Sequence, residues 1–176
     1  MLRIAISSTA TPRSRGFPAR CLAMTTAAPS AACCLIEFPD RAAAKAYIEV
    51  DPYTQAGIFQ DISIERWRPG LEVRQRDYQR KDDTMQFVVH SHNKANSSER
   101  LAALRDAHFE YLHNFQNIVV ARGALLDDAA THTIGSLLIL DVVDKAEAEA
   151  FWADEPFTRA GIFDGITIER WRFGHV

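Results

Sequence analysis

His108 is the residue of this sequence best suited to moving a proton. Leu101, Leu104, His108, Leu112 and Phe115 recur at three- and four-residue spacings, so His108 stands on the buried stripe of a helix where an apolar residue would otherwise fall. An imidazole that titrates near neutrality is a general acid and base. A packed histidine bonded to backbone satisfies the same pattern. Arg105 lies one turn earlier and would flank the same pocket mouth. Its paired N–H groups suit a carboxylate or phenolate, while as a solvated surface charge it would contribute little. Ser136 could donate to a ligand or bond within its strand, and Asp127 and Asp128 sit in a hairpin connection where aspartate is favoured as a turn cap. His90, His92, His113 and His132 have no metal-ligand spacing. No glycine-rich strand-to-helix turn suggests a phosphate loop, so neither metal nor cofactor is expected.

These residues need a scaffold, and residues 84–173 supply a complete one. Met85 to His90 alternates in the manner of a strand. Asn96, with Glu99 three positions on, marks a helix start, and the stripe bearing His108 follows. Asn117–Arg122 reads as a second strand, Leu125–Thr133 as a loop and Gly135–Val142 as a third strand. A helix over Lys145–Ala153 would turn Ala146, Ala150 and Phe151 inward. Glu155-Pro156 opens a short turn that Gly161 ends, and Ile166–Trp171 is the last strand. The order β-α-β-β-α-β predicts a ferredoxin-like α+β fold. Its sheet carries helices on one face only, so the other face needs a cover, by homodimer formation or internal pairing.

The cover has a candidate within the chain. Asp51-Pro52-Tyr53-Thr54-Gln55-Ala56-Gly57-Ile58-Phe59 recurs as Glu155-Pro156-Phe157-Thr158-Arg159-Ala160-Gly161-Ile162-Phe163, and Ile64-Glu65-Arg66-Trp67-Arg68 as Ile168-Glu169-Arg170-Trp171-Arg172. The offset, from Pro52 to Pro156, is a constant 104 residues. Residues 31–70 thus form a half copy of the later unit, lacking its front half, with 71–83 as a solvated linker and 84–176 as the complete domain. Leu35, Ile36, Ile58, Phe59, Ile62, Ile64 and Trp67 are expected to bury against Phe87, Ile139 and Trp171 or their dimer mates. Residues 1–30 contain Arg3, Arg13, Arg15 and Arg20 but no acidic residue, which fits a disordered leader, an organelle-targeting segment or a start placed upstream of Met24.

Composition bounds the function. The net charge of −3 argues against nucleic acid and anionic membranes as partners, and no apolar run approaches the roughly 20 residues of a membrane span. Cys21, Cys33 and Cys34 form neither a disulfide framework nor a zinc motif. Reduced thiols in a cytoplasmic setting are the simplest expectation.

Arg105-Asp106-Ala107-His108 before Tyr111-Leu112, then Gly123 to Asp128, Ile134-Gly135-Ser136, and Glu155-Pro156-Phe157 before Ala160-Gly161 resemble the YciI-like (YCII-related domain) family. The resemblance covers residues 84–173, and residues 31–70 match the family's second half alone. It implies a ferredoxin-like fold of the dimeric α+β barrel type, with a pocket between sheet and helices and a histidine–aspartate active site. Carried over by position, the histidine is His108 and the aspartate Asp127, with Asp128 second, and Arg105 and Ser136 are substrate-binding candidates. Where the family commonly has Asp-Pro-Tyr, this unit has Glu155-Pro156-Phe157 and lacks the hydroxyl. One family branch carries out dehydrochlorination, and related barrels include muconolactone isomerases. The implied activity is cofactor-free isomerisation or elimination on a small cyclic or aromatic compound. A non-catalytic binding or assembly module is the alternative, because one scaffold hosts many functions.

Overall fold

The computed structural model describes residues 2–10, 31–72, 77–79 and 81–172, with only the backbone for 2–10, 31, 32, 60 and 72. The chain divides into two compact units, residues 1–66 and 67–176.

The first unit runs β1 (Leu2–Ala10), β2 (Ala31–Phe38), α1 (Arg41–Glu49), α2 (Pro52–Gln55) and the first part of β3 (Phe59–Glu72). Within residues 1–30, expected as a leader, Leu2–Ala10 form strand β1. It lies antiparallel between β2, with Ile4 opposite Ile36, and β3, with Ile4 opposite Arg66. Leu2, Ile4 and Ile6 recur at every second position, a strand signal that the basic, Ser-rich composition obscured. Residues 31–66 therefore share their sheet with a strand from residues 2–10. The targeting segment and the start at Met24 fall on residues 11–30, outside the described residues. Ile36, Phe38, Ile48, Ile62 and Ile64 pack on the fully buried Ala44 of α1, so three of the residues expected to cover another sheet serve this unit's own small core.

The second unit takes the rest of β3 and then β4 (Met85–Asn93), α3 (Ser98–Asn114), β5 (Val119–Leu126), β6 (Thr133–Val142), α4 (Lys145–Asp154), α5 (Pro156–Arg159) and β7 (Phe163–Trp171). Its strands lie in the order β5-β6-β4-β7, with the end of β3 beside β5. Val89 of β4 faces Leu138 of β6 and Ile168 of β7. This is the expected ferredoxin-like α+β arrangement. Phe87, Val89, Leu138 and Leu140 of the sheet form one core with Leu112 of α3 and Ala148, Phe151 and Trp152 of α4. Burying side chains of this size, at roughly 1.5–3 kcal/mol each, is what holds the helices to the sheet.

Three local expectations change. Asn96 has φ 60° and sits in the turn before the helix, so Ser97, one residue later, takes the N-cap position. Helix α4 buries Ala148, Phe151 and Trp152, and Ala146 and Ala150 face solvent. Trp152 sets that rotation, because 148, 151 and 152 share a stripe that 146 and 150 do not. The presumed linker starts within β3, which runs to Glu72, and the units divide between Arg66 and Trp67. Its described residues are also tied down: the Gln86 side-chain amide donates to the Tyr78 hydroxyl at 2.9 Å, and Lys81 lies 3.5 Å from the buried Asp141.

The two sequence copies make the same turns. Asp40 accepts from the Ala43 N–H at the start of α1, as Asp144 does from Glu147 at the start of α4. Asp51 and Glu155 accept from the N–H groups of Thr54 and Thr158, capping α2 and α5. Gly57 and Gly161 end those helices at φ 65° and 64°, a conformation that disfavours any residue with a Cβ.

Candidate active site

Helix α3 lies over the sheet and leaves a cavity of about 490 Å³ within the second unit. Arg105, His108 and Phe109 line it from α3, Phe157 from α5, and Gly135 and Ser136 from β6. Leu101 and Leu112 anchor α3 in the core and so fix which way His108 points.

The His108 ring is held on two sides. It stacks on Phe157, with ring centroids 4.2 Å apart and planes 12° from parallel. Its Nδ1 lies 2.7 Å from Oε1 of Glu155, whose side chain is 0% exposed. The other carboxylate oxygen, Oε2, accepts from the N–H and hydroxyl of Thr158, at 2.9 and 3.3 Å. One buried carboxylate therefore caps α5 and grips the histidine. A carboxylate facing Nδ1 accepts from it, and in the neutral ring that tautomer leaves the lone pair on Nε2 of a residue that lines the cavity. Nearby, burial first, then the charges of Asp154 and Glu155, push the Tyr111 phenol up to about 12. It stays a neutral donor, bonded at 2.6 Å to the Phe151 carbonyl, and ties α3 to α4.

The histidine's partner differs from the one expected. Asp127 accepts from the Thr131 N–H and hydroxyl at 2.7 and 2.8 Å and meets Nδ1 of His132 at 3.0 Å. Hydrogen bonds from Thr131 and His132 hold its carboxyl well below the usual carboxylate range. Asp127 is thus the cap of its own loop. Neither it nor Asp128 lines the cavity, because the extended run of β5 carries the loop away from the level of His108. The structure brings together His108, Arg105 and Ser136, and leaves Asp127 and Asp128 out. Glu155 was missed as a site residue because a carboxylate before Pro156 reads as a helix cap, which it also is. Its available signal was length: it occupies the place of Asp51 with one more methylene, and so reaches further.

Arg105 lies 5.4 Å from the Phe109 ring centroid, a cation–π contact at the cavity wall. Ser136 Oγ is 2.9 Å from Oγ of the fully buried Ser91. Gly135 makes that approach possible, since a Cβ there would run into the Ser91 carbonyl. Gly123 is needed for a similar reason: a Cβ would meet the Trp67 indole and the Arg68 carbonyl. Among the described residues no helix is long and apolar enough to cross a membrane.

The unit is a ferredoxin-like α+β domain that keeps a histidine–carboxylate pair at a cavity between helix and sheet. More narrowly, residues 85–172, half of the chain, match the model of the YCII-related domain, and the chain belongs to that family. A 5-chloro-2-hydroxyhydroquinone dehydrochlorinase of Burkholderia phenoliruptrix, solved with 2,5-dihydroxybenzoquinone, is similar at 28% identity and a TM-score of 0.47, over 51% of this chain and 96% of its own. A proposed monooxygenase of Lactobacillus acidophilus is similar at 8% identity and a TM-score of 0.45, over 96% of this chain and 76% of its own. Comparison with curated proteins gives no match.

Proposed function

We propose that this protein is an acid–base enzyme, an isomerase or lyase for a small cyclic or aromatic compound, with His108 as base and Glu155 as the group that orients it. The observation that carries this reading is the 2.7 Å bond from His108 Nδ1 to a fully buried carboxylate at the wall of a cavity. Nε2 takes a proton from a carbon next to a carbonyl, or from a ring hydroxyl. Glu155 stabilises the imidazolium that forms. Arg105 or Ser136 holds the oxygen on which negative charge develops. Return of the proton to a different carbon completes an isomerisation; departure of a halide with its bonding electrons completes an elimination.

The test is a screen of small lactones and chlorinated hydroquinones, with wild type beside His108→Gln. Turnover that falls about a hundredfold or more in the variant is expected, in the range of a lost general base. Turnover that survives the substitution would sink the reading. Saturable binding without turnover would favour the non-catalytic module.

We also propose that the protein forms a homodimer. Among the described residues strand β7 ends the sheet order next to β4, with Ile166 exposed, and a strand at the edge of a sheet is a template for another chain. Light scattering should give twice the monomer mass of 19.8 kDa. A monomer across the micromolar range would refute it.

A further inference from the structure

The cavity carries a charge that the histidine–glutamate pair does not use. Besides Arg105, its wall includes Arg68 from the end of β3 and Arg122 from β5. These are three guanidiniums, and no carboxylate is among the described lining residues. Arg68 and Arg122 stand on neighbouring strands: a Cβ at Gly70 would lie 4.0 Å from Cγ of Arg122. Neither guanidinium makes a hydrogen bond or ion pair with a described residue. Arg122 is half-buried, and burial pushes its guanidinium down from its ordinary value, yet an arginine stays charged in a protein. A partly desolvated cation without a counter-ion is costly, and such charges are normally paired or satisfied by a ligand. Beside the neutral polar groups of Asn93, Thr133 and Ser136, the wall carries an apolar and aromatic surface that includes Leu101, Leu138, Phe109, Phe157 and Phe163. That mixture suits a flat ring bearing an acid group better than a fully hydrated inorganic ion.

We propose that Arg68 and Arg122 form an anion-holding wall, so that the ligand of this cavity is a planar ring compound carrying a carboxylate. The proposal deepens the acid–base reading by naming the substrate class. Guanidinium forks pair with carboxylates through two parallel N–H···O bonds, which would fix the ring's orientation while His108 works from α3. Arg68 lies outside residues 85–172 and corresponds to Arg172 in the sequence repeat. Ligand selection thus depends on a residue that the family segment alone does not contain.

Calorimetric titration of the full chain with salicylate and with its neutral counterpart salicylamide tests this without needing turnover. Salicylate should bind in the micromolar to millimolar range and at least tenfold more tightly than salicylamide. Arg122→Gln and Arg68→Gln should each weaken salicylate about tenfold or more, as expected for a lost charge-assisted pair, and bring it close to salicylamide. Arg159→Gln, which removes an exposed charge from α5 outside this cavity, should leave both affinities unchanged. Arg68 is exposed, so Arg68→Gln keeps the test alive if Arg122→Gln misfolds. The proposal is overturned if salicylate does not bind saturably, or if it binds no better than salicylamide. It is equally overturned if the Arg68 and Arg122 variants behave like the Arg159 variant, or if inorganic phosphate competes on equal terms. Loss of turnover in His108→Gln with salicylate affinity retained would separate the two readings, and so would the reverse.

Discussion

Glu155→Gln should lower turnover by about a hundredfold to ten-thousandfold, the span of a disabled general base, while Asp127→Asn should leave it within about twofold. The amide has nearly the shape of the carboxylate, but it offers one acceptor where Glu155 uses two. If its oxygen keeps the Thr158 N–H, its NH₂ group faces His108 and forces Nδ1 to accept. The ring proton then moves to Nε2, and no lone pair is left facing the cavity. If instead the oxygen keeps His108, the NH₂ group opposes the Thr158 N–H, two donors meet in a buried place, and the cap of α5 is lost. The second arrangement costs about 1 kcal/mol of stability or somewhat more, which a thermal melt would report. The first leaves the melt nearly unchanged and shows as a switched tautomer in the ring-nitrogen chemical shifts of His108. Asp127 serves only as the control: its bonds go to Thr131 and His132 in its own loop, so its replacement should disturb the loop alone. A Glu155→Gln variant with unchanged kcat/KM would leave His108 as a packed histidine and remove the basis for the enzyme reading.

The contrast between these two carboxylates shows what the sequence could reveal. His108 was legible because a helix imposes its period locally: once Leu101, Leu104 and Leu112 are seen to face inward, the histidine between them must do so too. Its partner was not legible, because the bond joins α3 to the start of α5 across 47 residues and the partner has a sufficient local role as a cap. The family resemblance points to an aspartate, and Asp127 stands at the matching place in its loop. A loop position says little about where a carboxylate ends up relative to a helix it does not touch. Arg68 and Arg122 were hidden differently. Each sits in a strand, where charged residues are expected on a solvated face, and only the sheet order β3-β5 brings them to one wall. The element order β-α-β-β-α-β and the ferredoxin-like class follow from alternation and spacing, whereas the rotation of α4 turns on Trp152, whose bulk outweighs the alanines of the helical stripe.

A chain shortened to begin at Met24 should lose the first unit and keep the second. Strand β1 is the central member of β2-β1-β3, so its removal strips β2 and β3 of their shared partner. The backbone groups that now bond in the register Ile4–Ile36 and Ile4–Arg66 would be left to water. The apolar side cannot compensate, since the unit's core is Ala44 with a few partly buried isoleucines and Phe38, and two separated strands with two short helices fall below what folds alone. Amide exchange across residues 31–66 should therefore lose its protection by orders of magnitude, approaching that of an unfolded segment. Exchange in β4, β6 and α4 should change little, because Val89, Leu138, Leu140 and Trp152 draw their burial from the second unit's own helices and sheet. Protection retained throughout 31–66 would mean that β1 adds nothing to the unit, and would favour the reading of residues 1–30 as a leader. Loss of protection in both units together would mean that the second depends on the first for its stability, and the family domain could not then be treated as a self-sufficient fold in this chain.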